Sequence, residues 1–414
     1  MQSLAHVPAG KAGAPIRILQ ITDTHLFPDG VVTFKTPKRT VDMKKENYSN
    51  ETAERMLKIL VEKVKPDIVI FTGDIIDGRP FGEHKRSDFV ETFEKFLRPV
   101  IDTKIAWSFT PGNHDDDGAP YSRKDLLKLY ELPCCLSAGA KTFNHTVLVG
   151  PSAKECVRLW FFDSGENADE RIKYTSFDLS AVQGYCALSD KYHKAGERCL
   201  GLAYFHIPFP EYAYNKPIRG KLGLFDAARH KGIVPPVAKL FPSLVKLAGS
   251  HRVVGSSRLD SGLFREMARR ANVVATFCGH DHYNDAVMRR DGLFLCYGRV
   301  CSRTPPIDWE GDGGELPFDF GARVVEVNPN GGHSNTEEKP HKCITWIQGE
   351  SGVEEDSVFQ LHPAKPQKPS ALQSCFKTVA ESKNLPRIAH LVVMIALAAY
   401  ILMYSENRTK EDDA

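Results

Sequence analysis

From Ile16 onward the apolar residues of this chain follow two rhythms. One is a short unbroken run rich in Val, Ile and Phe between turn-forming residues, which predicts a strand covered on both faces. Such runs fall at 17–22, 67–72, 105–110, 142–149, 159–163, 202–206, 273–277, 293–297 and 322–327. The other is the three-to-four-residue recurrence of an amphipathic helix, seen over 51–64 before Pro66 and over about 88–100. Strand and helix alternating in this way predict the α/β class, with two facing β-sheets flanked by helices. A strand over 343–348 is expected to close the domain by pairing with 322–327.

The same pattern divides the chain. Residues 1–14 read as a flexible N-terminus without the apolar stretch of a secretory signal. Residues 15–349 form the globular domain, and 350–387, rich in Pro, Lys, Ser and Gln, read as a linker. Residues 388–404 are apolar on all sides, with His390 the one strongly polar member. They reach the lower length limit for crossing a bilayer, about 17 residues, so a C-terminal transmembrane helix is expected, followed by a short tail, 405–414. Insertion would then follow synthesis, as in tail-anchored proteins. Lys368, Lys377, Lys383 and Arg387 before the span outnumber Arg408 and Lys410 after it, which places the globular domain in the cytosol. The polar stretch 212–262, punctuated by Gly and Pro, is expected to overhang the site described next, where it either bears on substrate choice or is a surface excursion with no role.

Composition narrows the classes. With 414 residues, 42% of them hydrophobic, the chain can bury a large core, and 54 basic against 52 acidic side chains leave a net charge of +2. Nothing resembles the basic stripe of a nucleic-acid binder, so no nucleic-acid partner is expected. Ten cysteines form no C-x-x-C pair, and Cys134 and Cys135 are adjacent, which excludes a zinc ribbon. Reduced thiols are expected.

Five motifs carry the candidate chemistry: Asp23-Thr24-His25, Gly73-Asp74-Ile75-Ile76-Asp77, Gly112-Asn113-His114-Asp115, His206, and Gly279-His280-Asp281-His282. Each falls just past the end of a predicted strand, where open α/β sheets place their ligands. Two cations about 3.5–4 Å apart need a shared carboxylate, for which Asp74 is suited, and imidazole or oxygen donors from several strand ends. Asp23, His25 and His282 are candidates for one ion, and Asn113, His206 and His280 for the other. Imidazole mixed with carboxylate suits zinc, manganese or iron better than calcium. Asp77, Glu211 and Asp285 have capping or turn roles at least as open to them and stay outside the set.

The order D-x-H, GD-x-x-D, GNHD, H, GH-x-H resembles the calcineurin-like metallophosphoesterases. Phe162-Asp163-Ser164-Gly165, the run from His206 to Tyr212, the run from Gly279 to Asp285, and Leu295-Cys296-Tyr297-Gly298 are similar to the single-domain branch of purple-acid-phosphatase-like enzymes. Asp77 stands where the purple enzymes carry the tyrosine that gives their ferric iron its colour. The resemblance implies a four-layer sandwich, two divalent or mixed-valence ions (Fe, Mn or Zn), and phosphomonoester hydrolysis by hydroxide shared between them. His114 is then the candidate general acid, oriented by Asp115. A phosphorylated small molecule or phosphoprotein is the expected substrate, and the membrane is the expected partner of the C-terminal helix. A phosphodiesterase on the same metal core and a catalytically silent membrane-bound interaction protein are the alternatives.

Overall fold

The computed structural model describes residues 1–35, 40–42, 49–83, 88–197, 199–215, 217–220, 254–301, 319–329 and 343–361, all within one compact unit, Met1–Pro366. Its strands are β1 (Gln2–Ser3), β2 (Ile16–Ile21), β3 (Thr33–Lys35), β4 (Thr40–Asp42), β5 (Ile68–Thr72), β6 (Ala106–Thr110), β7 (His145–Val149) and β8 (Val157–Phe161). They continue as β9 (Leu200–Tyr204), β10 (Val273–Cys278), β11 (Val287–Arg290), β12 (Leu293–Tyr297), β13 (Gly321–Val327), β14 (Cys343–Gly349) and β15 (Val353–Leu361). The α-helices are α1 (Asn50–Val64), α2 (Gly78–Glu83), α3 (Phe89–Asp102), α4 (Leu179–Lys194) and α5 (Leu263–Arg270).

One sheet has the order β1-β7-β8-β9-β10-β12-β11 and the other β15-β14-β13-β2-β5-β6; β3 and β4 form a small hairpin. Both large sheets are mixed. The strands β8, β9, β10 and β12 run parallel, as do β2, β5 and β6, while β7, β11, β13, β14 and β15 each meet an antiparallel neighbour.

The two-residue period of the strands sorts their side chains into layers. Ile18 and Ile70 join Leu159, Leu202 and Phe277 between the sheets. On the outer face of one sheet, Leu19, Ile21, Val69 and Phe71 pack against Leu57, Leu60, Phe93 and Phe96 of α1 and α3. On the outer face of the other, Trp160 and Ala203 meet Tyr185, Phe264 and Met267 of α4 and α5. Because both faces are covered, these strands read as continuous apolar runs. The helices start where the sequence supplies an oxygen acceptor: Ser49 takes the amide of Glu51 at 3.2 Å, Asp88 that of Val90 at 2.8 Å, and Asp178 that of Ser180 at 2.6 Å.

Two expectations are corrected. The stretch from 350 is not linker throughout, since β15 pairs with β14 with Ile344 opposite Gln360. The Pro, Lys, Ser and Gln content of 350–387 does not mark this strand, because an edge strand needs only a few inward residues, here Ser357 and Leu361. The fold class also loses its C-terminal transmembrane helix: among the described residues no helix is long and apolar enough to cross a membrane. Residues 388–404 lie outside the described residues. Apolar composition says that a segment avoids water without saying what covers it. Most of the expected overhang, 221–253, and the remainder of the linker also lie outside the described residues.

Candidate metal centre

Every candidate ligand lies in a loop at the carboxyl end of a parallel strand: Asp23 and His25 after β2, Asp74 after β5, Asn113 after β6, His206 after β9, His280 and His282 after β10. Backbone hydrogen bonds zip the first two loops together, from Asp23 N–H to Gly73 O at 3.2 Å and from His25 N–H to Asp74 O at 2.9 Å. Asp23, His25, Asp74 and His280 all have φ between 47° and 75°. Such left-handed backbone is costly outside glycine and persists where the surroundings over-determine it, typically at functional sites. Gly112 leaves the loops no slack: a Cβ there would stand 2.3 Å from Asp74 Oδ1 and 2.5 Å from Asp74 N.

The side chains gather into two triples, Asp23 with His25 and His282, and Asp74 with His206 and His280; within each, the ligand atoms lie within 4.8 Å of one another. Asp74 Oδ2 faces both groups, 3.0 Å from His206 Nε2 and 3.7 Å from His25 Nε2. Asp74 Oδ1 is occupied by the amide of His114 at 2.7 Å. Asp74 is therefore the carboxylate that two ions held by these triples would share.

Charges are settled by these contacts. Burial opposes ionisation of Asp74, yet His206, His114 and His25 together hold its carboxyl well below the usual range. Burial also works against a protonated His206, but the Asp74 carboxylate overcomes it and pushes the imidazole up to about 9. His25 and His280 are held below the ordinary imidazole value, in each case first by burial.

The donors fit metals. Atoms about 2.0–2.2 Å from one zinc-type ion span up to about 4.4 Å, close to the spread within each triple. His25 Nε2 and Asn113 Oδ1 are buried without a hydrogen-bond partner, a costly state unless something binds them. The other ring nitrogen of His25 lies 3.4 Å from Asp77 Oδ2, and His206 Nδ1 donates to Thr72 O at 2.8 Å, which aims both Nε2 lone pairs into the site. The orientation of Asn113 follows from its neighbours. Asp117 only accepts, so Asn167 turns its NH₂ there at 3.3 Å and presents its oxygen to Asn113 Nδ2 at 3.2 Å, leaving Asn113 Oδ1 as the unengaged acceptor.

The sequence expectation for Asp115 is corrected. Its two oxygens are turned to the backbone, accepting the amides of Asp74, Ile75, Ile76 and Gly112 at 2.6–3.0 Å. Burial and the Asp74 charge push its carboxyl up, to about 7, against the pull of those amides. Asp115 thus fixes the loop that carries Asp74. His114 Nδ1 pairs instead with Asp117 Oδ2 at 3.0 Å, and its side chain is 24% exposed, enough for a substrate to reach. Burial lowers the His114 imidazole, but Asp74 and the Asp117 hydrogen bond leave it raised overall. Its ring centroid lies 5.4 Å from that of His25.

Several neighbours outside the candidate ligand set support the site. Asp77 bonds both His25 and Arg79. Arg123 joins Asp116 and Gly112 O to Asp163 and Gly165 O, tying the Gly112–Asp115 loop to the loop after β8. Ser164 accepts the amides of His206 and Ile207. Tyr174 sets its ring edge-on to His280 at 4.6 Å. The quoted run Phe162 to Gly165 was the signal for Asp163 and Ser164; nothing local marked Asn167, Arg123 or Tyr174. Asp285 is a structural partner of Arg299, and Glu211 is not part of either triple.

This chain is similar to several known proteins. Relatives include "Probable inactive purple acid phosphatase 29" of Arabidopsis thaliana, 25% identical over 68% of this chain and 70% of that one. "Phosphatase DCR2" of Saccharomyces cerevisiae is 27% identical over 72% of this chain; the match spans 49% of the yeast protein, about half its length. A dimetal phosphatase structure from Danio rerio aligns with a TM-score of 0.48 and 13% identity, covering 85% of this chain and 100% of that one. The family profile described as calcineurin-like phosphoesterase matches residues 16–284, which takes in every candidate ligand, and the chain belongs to that family.

Proposed function

We propose that this chain is a phosphomonoesterase working with two divalent or mixed-valence ions drawn from Fe, Mn and Zn. Asp23, His25 and His282 would hold one ion, Asn113, His206 and His280 the other, and Asp74 would be shared. The carrying observation is Asp74 Oδ2, which stands between the two triples. Ions held there would offset charge on the phosphoryl oxygens and lower the pKa of the attacking water.

The chain's own residues supply the rest. His114 gives a proton to the departing oxygen from the exposed side of the site. With Nδ1 engaged by Asp117, Nε2 is the donor that remains. Asp115 keeps Asp74 in place, and Arg123 keeps the His114 loop against Asp163. The phosphatase names of the relatives support the monoester reading; the Arabidopsis relative is named inactive, and against that the intact donor set of this chain favours activity over silence. No more is claimed for the substrate than a phosphorylated small molecule or phosphoprotein.

The test compares p-nitrophenyl phosphate with its bis ester after loading with manganese, zinc or iron. Higher kcat/KM on the monoester is expected. Preference for the bis ester would make the chain a phosphodiesterase. No turnover of either with two ions bound per chain would make it a catalytically silent binding protein.

A further inference from the structure

Away from the metal centre, two cysteines stand directly before paired strands: Cys156 before β8 and Cys199 before β9. The strands run parallel without a register shift, from Val157 opposite Leu200 to Phe161 opposite Tyr204. One step back along both places Cys156 opposite Cys199. Neighbouring strands lie about 4.7–4.9 Å apart, within the Cα separation of about 4.4–6.8 Å that a disulfide spans. Side-chain alternation puts both thiols on one face. Val157 and Leu200 point into the core between the sheets, so the preceding residues point to the opposite side.

The two thiols differ in access and character. Cys156 is 3% exposed, whereas Cys199 is partly exposed. Hydrogen bonding with Cys156 holds the Cys199 thiol below the usual value, with help from Arg158, and its partner is pushed up. Arg158 is itself held by Glu197 through two contacts of 2.5 Å. An accessible, more acidic thiol beside a shielded one has the form of an attacking and a resolving pair.

We propose that Cys156 and Cys199 form a redox-reversible modification site, which low-molecular-weight disulfides oxidise to an intrachain disulfide. The Cys199 thiolate attacks one sulfur of the small disulfide; that S–S bond breaks and one small thiolate leaves. The Cys156 thiol then gives up its proton, and its thiolate attacks the Cys199 sulfur and expels the second small thiolate. Two protein thiols are oxidised and one small disulfide is reduced to two thiols, so no other oxidant is needed. The bond closes the crossover from β8 through α4 to β9 and limits the unfolded chain accordingly.

The folded full-length chain is incubated with glutathione disulfide, quenched with acid and alkylating reagent, and mapped by mass spectrometry. A peptide linking Cys156 to Cys199 is expected, together with a Tm raised by a few degrees and restored by dithiothreitol. Exposed Cys134 reports that the reagent was active. Cys156→Ser should stop at a glutathione adduct on Cys199, and Cys199→Ser should leave Cys156 unmodified. A wild-type chain with Cys199 carrying glutathione and no cross-link, or with both thiols free while Cys134 has reacted, overturns the proposal.

Discussion

If Asp117 aims His114 at the leaving group, its loss should be felt in proportion to how much protonation that group needs. Asp117→Ala removes the 3.0 Å contact to His114 Nδ1 and one acceptor of Asn167. A hydrogen bond involving a charged group contributes about 1.5–3 kcal/mol. The side chains are 24% and 35% exposed, so solvent screening reduces this to about 1–2 kcal/mol. At about 1.4 kcal/mol per tenfold, kcat on an alkyl phosphate should fall roughly 5- to 30-fold. p-Nitrophenyl phosphate, whose leaving group needs little protonation, should lose much less. Because the Asp117 contact raises the His114 imidazole, the alkaline limb of kcat should also move to lower pH. The assay is steady-state kinetics on an aryl-to-alkyl series, with metal content measured in parallel. Equal losses on aryl and alkyl substrates at full metal content would refute the orienting role.

Asp74→Asn should abolish turnover and lower metal content together, since a neutral amide lacks the charge that holds two cations; elemental analysis beside an activity assay checks this. Gly112→Ala should do the same without replacing a ligand, because its Cβ would press on Asp74 Oδ1; normal metal stoichiometry would count against it. Metal loading at pH 7.5 should release close to one proton from His206, whose imidazole is raised to about 9, so calorimetric enthalpies should vary with buffer ionisation heat. In the metal-free protein the same residue stabilises the fold fully below about pH 6.5 and loses that contribution as pH rises through about 9. Buried His145, stacked on Phe161 and held first by burial at about 4, acts in the opposite sense. Its contribution is complete above about pH 6.5 and is lost down to about pH 4, up to about 3 kcal/mol, so denaturant titrations of His145→Gln should show a shallower acid limb.

Strand positions were legible in the chain because covering both sheet faces demands unbroken apolar runs, and β2, β5, β6 and β10 lie within a residue or two of where those runs fall. The candidate metal donors stood out for a related reason: imidazole and carboxylate just beyond buried strands, in a fixed order, form a pattern that local turn chemistry does not produce. Strand β15 was not, since an edge strand with a mostly solvated face has no such signature.

The run His114-Asp115-Asp116-Asp117 marks where sequence stops. Three identical carboxylates follow one another, and local pattern assigns them nothing different. The fold gives Asp115 the backbone amides of the Asp74 loop, up to 41 residues away, gives Asp116 to Arg123, and gives Asp117 to His114 and to Asn167, 50 residues away. Residue type and order determined the family and the candidate donor set, because coordination chemistry and burial are properties of residue types. Only the tertiary structure decided which carboxylate clamps, which orients and which oxygen of Asp74 faces both triples, because hydrogen bonds act over about 3 Å and depend on partners that only the packed loops bring together.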